Sequence, residues 1–253
     1  MRGRRILAAL AALPLLSGAT KPVLVPDVSQ RRIEIIYSFT GAELLLFGAI
    51  LYPGGRVPRR PADIAVVVKG PSESILVREK RKVAGIWLNA ESSRFRSAPA
   101  FYAVATSRPI GDLVDERTAA IYELGIQNLQ LSPADAGSPD KARRFERGLI
   151  DLRQRSGLFV EQPGAVEITD GVLYRARIRI PARVPVGAYT AETFLISDGK
   201  VIAGAVRDID IAKSGFERYV AATAESHGLA YGIVAVLLSL GLGWGAGMAF
   251  RRF

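Results

Sequence analysis

The side chains that most often carry out catalysis are sparse in this sequence of 253 residues. It has one histidine, His227, and no cysteine, which leaves no Cys–His pair, no thiol nucleophile and no cysteine-ligated metal. His227 directly precedes a long apolar stretch, where a polar boundary residue is the ordinary interpretation. Asp208 and Asp210 have the spacing of one strand face and are expected to be solvated. The composition therefore predicts a protein that is not an enzyme and that binds no cofactor or metal.

Three arginines at alternate positions form the first candidate site. Arg175, Arg177 and Arg179 alternate with apolar residues, so they fall on one face of a strand while the apolar side chains face the core. The basic face is predicted to be exposed. It is a candidate site for an anionic solute or an envelope polymer.

A series of glycines near the C-terminus forms the second candidate site. Gly241 and Gly245 are four residues apart, as are Gly243 and Gly247. Small residues at this spacing let another membrane helix approach closely, which predicts a membrane-protein partner or self-association. The alternative is a helix that tolerates glycine and has no partner.

The two ends of the chain predict its cellular location. Residues 1–19 contain arginines, then a short apolar run, then small residues, which is the pattern of a signal peptide cleaved after Ala19; an uncleaved helix is the alternative. Residues 228–250 carry no charge and precede two arginines, which predicts a transmembrane helix. The positive charges on its two sides are nearly equal in number, so the prediction of a cytoplasmic tail at 251–253 depends mainly on the signal peptide. The sequence therefore predicts a single-pass inner (plasma) membrane protein with most of its chain in the periplasm.

Patterns along the exported part predict a mainly β fold. Short strands separated by turns predict an immunoglobulin-like β-sandwich over residues 20–109, with Trp87 in its core. Residues 110–157 are predicted to be helical, and residues 158–213 to form a second, smaller β-sandwich-like unit. A juxtamembrane helix is predicted at 214–227. The predicted fold is thus two immunoglobulin-like units with an intervening helical segment and one C-terminal transmembrane helix.

The charge of the chain bears on its partners. The formal net charge is +10, and half of it comes from arginines near the two termini. The exported part is thus only modestly basic. Export argues against nucleic acid as a partner, and the lipid bilayer, whose surface is anionic, explains the basic excess more simply.

Several stretches of the sequence are distinctive when taken together. They are Val25–Ile35, Ser38–Leu44, Ala84–Asn89, Pro99–Ser107, Val186–Thr190, Leu229–Gly232 and Gly243-Trp244. In these stretches the chain resembles the alphaproteobacterial single-span family called "putative transmembrane protein" (Alph_Pro_TM). The resemblance implies a periplasmic domain on one inner-membrane helix and an anion exporter as partner, and it transfers no catalytic residue.

Two functions are therefore expected from the sequence. The first is an inner-membrane-anchored periplasmic interaction module that serves a membrane partner such as an anion transporter. The alternative is a periplasmic sensor or binding protein for an anionic solute or envelope polymer.

Overall fold

The computed structural model describes residues 21–35, 41–134, 138–213, 220 and 223–250. The predicted signal peptide, most of the predicted juxtamembrane helix and the predicted cytoplasmic tail lie outside these residues. The described residues form thirteen strands: β1 Val23–Val28, β2 Arg32–Ile35, β3 Gly41–Leu51, β4 Asp63–Lys69, β5 Ser72–Val83, β6 Ile86–Pro99, β7 Tyr102–Thr106, β8 Ser132–Pro133, β9 Phe159–Pro163, β10 Val166–Thr169, β11 Leu173–Pro181, β12 Gly187–Ser197 and β13 Lys200–Lys213. The helices are α1 Ile110–Leu113, α2 Glu116–Ile121, α3 Pro139–Arg155 and α4 Gly228–Phe250.

The strands form three sheets, which confirms the prediction of a mainly β fold. A four-stranded sheet has the order β1-β3-β11-β10, a six-stranded sheet has the order β2-β13-β12-β4-β7-β9, and a three-stranded sheet has the order β5-β6-β8. Buried side chains of the first two sheets, such as Leu44 and Ile178 on one and Val66 and Ile209 on the other, belong to one hydrophobic core. The two larger sheets therefore bury each other.

The prediction of two separate sandwich units is corrected by the strand pairing. β3 pairs with β11, β4 pairs with β12, and β7 pairs with β9, so both larger sheets contain strands from residues 20–109 and from residues 158–213. Local alternation of side chains marks a strand, but it does not choose the strand's partner. The immunoglobulin-like character of the fold is not confirmed.

The centre of the six-stranded sheet is covered on both of its faces. Residues Ile64–Val68 of β4 and all of β7 are buried, although alternate residues point to opposite faces. Leu113, Leu124 and Ile126, from the segment containing α1 and α2, belong to the same core. This helical segment therefore packs as part of the sheet's core.

The helix α3 covers the base of a long hairpin formed by β5 and β6. It begins at Ser138, whose hydroxyl accepts a hydrogen bond from the amide of Lys141 at 3.3 Å, with Pro139 at its first position. Phe145 and Leu149 of α3 form a small core with Phe95 and Ala98 of β6. Ion pairs join the same surfaces, because Arg144 lies 2.7 Å from Glu91, and Arg153 contacts Glu73.

The outer end of the hairpin is exposed, which corrects the prediction for Trp87. Trp87 is 65% exposed and does not lie in a core. The apolar run Ala84–Leu88 resembles part of a core strand, but β5 and β6 extend beyond the residues that α3 covers. An apolar strand pattern alone does not tell a covered strand from a projecting one.

The helix α4 spans Gly228–Phe250, as the sequence predicts. Its residues 228–248 are long and apolar enough to cross a membrane, and none of that window is buried. The described residues thus include one candidate membrane span.

Candidate functional site

The outer face of the four-stranded sheet carries the predicted basic site. Alternation along β11 is complete, since Tyr174, Ala176, Ile178 and Ile180 are buried while the residues between them are exposed. Arg175, Arg177 and Arg179 therefore share the outer face, as predicted.

The structure gives two of these arginines carboxylate partners. The Arg175 guanidinium donates two hydrogen bonds to the Glu167 carboxylate, at 2.8 and 2.5 Å. Arg177 lies 3.7 Å from Glu43, which also stands directly opposite Arg179 across the ladder. Among the described residues Arg179 forms no ion pair. The face is thus closer to charge balance than the sequence suggests.

Beside these charges lies an exposed apolar patch that the sequence analysis missed. The patch residues are 39–56% exposed and belong to β1, β3 and β11: Val23, Val25, Phe47, Leu51 and Leu173. The segment of β3 reads as a continuous apolar run, which is typical of a strand buried on both faces. In the structure one of those faces is open. No local sequence pattern reveals it, because β1 is apolar at exposed and buried positions alike, as at Val23, Leu24 and Val25.

A shallow groove of about 510 Å³ runs along the apolar patch. Val25, Phe47 and Leu173 line it, with Asp27 and Arg175 as its charged residues. A hydrogen bond from the amide of Val28 and the side chain of Arg31 lower the pKa of Asp27, which keeps this carboxylate ionised. The groove therefore offers apolar contact area together with one fixed charge of each sign.

A second polar site joins three residues that are far apart in the sequence. The Lys69 ammonium lies 2.6 Å from Glu123 and 3.2 Å from Glu192, and each of the three side chains is about a quarter exposed or less. Burial alone would lower the pKa of Lys69, but the hydrogen bond and charge of Glu123, together with Glu192, raise it. The lysine is thus held charged.

The buried side chain of Tyr102 holds the backbone of this ion-pair cluster in place. Its hydroxyl donates to the carbonyl oxygen of Glu123 at 2.6 Å and accepts from the amide of Gly125 at 2.9 Å. Burial raises the pKa of Tyr102. The cluster therefore ties β4 and β12 to the chain after α2. Its compact, internally paired arrangement is that of a structural contact.

The remaining candidate residues are dispersed. His227 lies beside Ser226, with 2.9 Å between Nδ1 and the hydroxyl, and Asp210 forms an exposed ion pair with Arg32. No group of three or more potential metal ligands occurs among the residues that the structure describes.

The four glycines of α4 lie on two different sides of the helix. A helix turns about 100° per residue, so the pair Gly241 and Gly245 is roughly 200° away from the pair Gly243 and Gly247. Within the part of the chain that the structure describes, and apart from the backbone of α4 itself, no atom lies within 4 Å of the position that a Cβ atom would occupy at any of them. The structure thus leaves both sides open, and their role in helix packing stays a prediction.

Comparisons with known proteins locate the chain in a family. No curated protein sequence matches it. Among solved structures, Spo0M, the sporulation control protein from Bacillus subtilis, is 11% identical with a TM-score of 0.31. That alignment covers 81% of this chain, and the chain spans 55% of the length of Spo0M, so the likeness supports no argument about fold or function.

The family model described as "Putative transmembrane protein (Alph_Pro_TM)" matches residues 23–252. This match includes all thirteen strands and the whole of α4, and it agrees with the resemblance found in the sequence. The chain therefore belongs to the Alph_Pro_TM family of transmembrane proteins.

Proposed function

We propose that this protein is a non-enzymatic interaction module, anchored in the inner membrane by α4 and exposed to the periplasm. It serves a membrane partner such as an anion transporter. The observation that carries the proposal is the apolar patch on the outer face of the four-stranded sheet.

The composition of this outer face is that of a protein-binding surface. Contiguous exposed apolar area is rare on proteins without partners and marks sites of interaction. Here the apolar patch is bordered by the arginines and carboxylates of β11, β10 and β3, and protein interfaces commonly combine an apolar centre with a polar rim. Phe47, which stands between Asp27 and Arg175 across the ladder, and Leu173 both line the groove and are the expected contact residues.

Anchoring favours a partner in the same membrane. A candidate span confines the chain to the bilayer, which raises its effective concentration toward other proteins there. A second contact through the glycines of α4 would add to the first without requiring either to be tight.

The proposal can be tested by photo-cross-linking in native membranes. A photoreactive residue at position 47 should capture a membrane protein, and the same residue at Lys200, in the exposed β12–β13 turn, should not. Phe47→Ser with Leu173→Ser should abolish capture from an intact neighbouring position, whereas Val206→Ser, an equally exposed apolar site on another sheet, should not. Equal capture at positions 47 and 200 would refute the proposal.

A second candidate function is suggested by Arg179. This guanidinium forms no ion pair within the described residues, whereas Arg175 and Arg177 on the same strand face are paired with carboxylates. An anionic solute could bind there as a bidentate ligand. The test is thermal unfolding of the full chain in detergent with sulfate or phosphate, which should stabilise the wild type and not Arg179→Ala. An unchanged midpoint with both ions would reject this function.

A further inference from the structure

The outer end of the β5–β6 hairpin has a composition that the proposed partner site does not explain. Val83, Ile86, Trp87 and Leu88 are each 50–65% exposed. A two-residue turn at Ala84 and Gly85, both with positive φ, brings them together at the end of the ribbon. With the three preceding basic residues, Lys80, Arg81 and Lys82, they form what is here called the hairpin tip.

We propose that the hairpin tip inserts into the surface of the same bilayer that holds α4. The binding partner of the hairpin tip is thus a lipid surface with anionic headgroups. This goes beyond the proposed function, because it concerns a second contact surface at a different place in the fold.

The hairpin is a direct continuation of the centre of the six-stranded sheet. Lys69 of β4 pairs with Tyr102 of β7, and the ladder continues through hydrogen bonds from Gly70 to Phe101 and from Ala100 to Pro71, each 2.8 Å long. Ser72 then pairs with Pro99. The ribbon therefore leaves the sheet at the end where β4 finishes.

The chain leaves for the membrane at that same end of the sheet. Lys69 of β4 pairs with Thr190 of β12, and Gly187 of β12 pairs with Ile211, two residues before β13 ends at Lys213. β4 and β13 thus finish at the same end of the sheet. The hairpin and the connection to α4 both start at this end.

The lengths allow the tip to reach the bilayer. A strand rises about 3.3 Å per residue, so the twelve residues of β5 extend roughly 40 Å from the sheet. The connection from Lys213 to Gly228 spans at most about 50 Å when fully extended. A hairpin of this length can therefore touch the membrane when the connection spans about 40 Å or less.

The chemistry of the hairpin tip favours lipid over protein as its binding partner. In the hairpin register Lys82 stands opposite Trp87, and Arg81 stands opposite Leu88, so each face of the ribbon carries a cation beside an apolar side chain. Tryptophan is enriched at the membrane–water interface, and lysine can extend its ammonium toward headgroups while its methylenes stay in apolar surroundings. Among the described residues Lys80 and Lys82 form no ion pair, which leaves their charges available to anionic lipids.

The experiment uses the full chain with Trp244→Phe, which leaves Trp87 as its single tryptophan. The protein is reconstituted in phosphatidylcholine vesicles with or without a one-third share of phosphatidylglycerol. Lipids brominated on their acyl chains are included in the same vesicles. The proposal predicts that Trp87 is quenched by the brominated lipid and shielded from acrylamide, and more so with the anionic lipid.

Matched lysine variants supply the control. One lysine near an anionic surface contributes about a five-fold change in binding, so Lys80→Gln should reduce tip insertion by about that factor. Lys200→Gln removes the same charge from the opposite end of the sheet and should change nothing. Far-UV circular dichroism of each variant verifies that the sheets are intact.

Three results would overturn the proposal. The first is Trp87 fully accessible to acrylamide and not quenched by brominated lipid. The second is shielding from acrylamide without lipid quenching, which indicates a protein contact. The third is quenching that arises only when the brominated lipid is in separate, added vesicles, which indicates a facing membrane.

Discussion

Trp87 and Lys82 stand directly opposite each other across the β5–β6 ladder, one residue pair from the pair that closes the turn. Trp87 is 65% exposed, and Phe95, eight residues further along the same strand, is 1% exposed. The same strand thus contains a buried aromatic residue that supports the fold and an exposed one that does not.

This contrast predicts different effects of two aromatic truncations. Phe95→Ala should lower the free energy of unfolding by about 3–5 kcal/mol, because it removes a ring from the core shared with Phe145 and Leu149. Trp87→Ala should change it by about 0.5 kcal/mol or less, as surface substitutions do. Urea unfolding of the full chain in detergent, followed by circular dichroism, measures both. Equal losses for the two variants would mean that the tip is covered.

Two glycines predict opposite effects of adding a methyl group. At Gly70 a Cβ atom would lie 2.9 Å from the Tyr189 ring and 3.1 Å from Phe101, so Gly70→Ala should destabilise the protein by about 1–3 kcal/mol. Gly148 lies on the exposed side of α3 with nothing within 4 Å, so Gly148→Ala should stabilise it by about 0.5–1 kcal/mol. Thermal unfolding midpoints of the two variants should move in opposite directions. An unfolding midpoint that Gly70→Ala does not lower would show that Tyr189 and Phe101 can move away from the added methyl group.

The ion-pair cluster of Lys69 predicts a pH-dependent contribution to stability. Lys69→Met leaves Glu123 and Glu192 without their cation and should cost about 1–3 kcal/mol at neutral pH. The pKa of Lys69 is raised above its ordinary value of 10.5 in the folded state. The contribution is therefore fully present below pH 10.5 and is lost as the pH rises through the folded-state pKa.

The measurement is the difference in unfolding free energy between wild type and Lys69→Met across neutral to strongly alkaline pH. Ionisation of tyrosines outside the cluster affects both proteins equally and cancels in that difference. The difference should be constant up to about pH 10 and shrink above it. A difference that stays the same at every pH would contradict the cluster.

The two glycine pairs of α4 predict different effects on helix association. Gly243 and Gly247 lie on a side of the helix that also carries Gly232, Ser239 and Ala246, so this side permits close approach along its length. Gly243→Leu with Gly247→Leu should weaken cross-linking in native membranes while leaving insertion intact, because leucine makes the span more apolar. Gly241→Leu with Gly245→Leu alters the opposite side and serves as the matched control. Unchanged cross-links in both variants would show that α4 is only an anchor.

The sequence predicted the local features of this fold and not its long-range pairing. The outward direction of Arg175 and the bounds of α4 depend on alternation and on apolar length, which are local patterns. The pairing of Leu46 with Ala176 joins strands 130 residues apart, and no local pattern specifies it. The prediction of two separate sandwich units was wrong for that reason.

The candidate surfaces were predictable to different degrees. The basic face of β11 was predicted, but the carboxylates that neutralise part of it come from β3 and β10. The Lys69 cluster draws its members from β4, β12 and the chain after α2, so no spacing in the sequence could have revealed it. Exposure of Phe47 and Trp87 depends on which elements cover a strand, and that is settled only by tertiary packing.

The proposed function places the sheets in the periplasm, and one measurement tests this placement directly. A reporter enzyme that is active only outside the cytoplasm is fused after Ala221 in one protein and after Phe253 in another, and a reporter active only in the cytoplasm is fused at the same two positions. We expect an active periplasmic reporter after Ala221 and a silent one after Phe253, with the cytoplasmic reporter giving the reverse. A periplasmic reporter that is silent after Ala221 and active after Phe253 would contradict it.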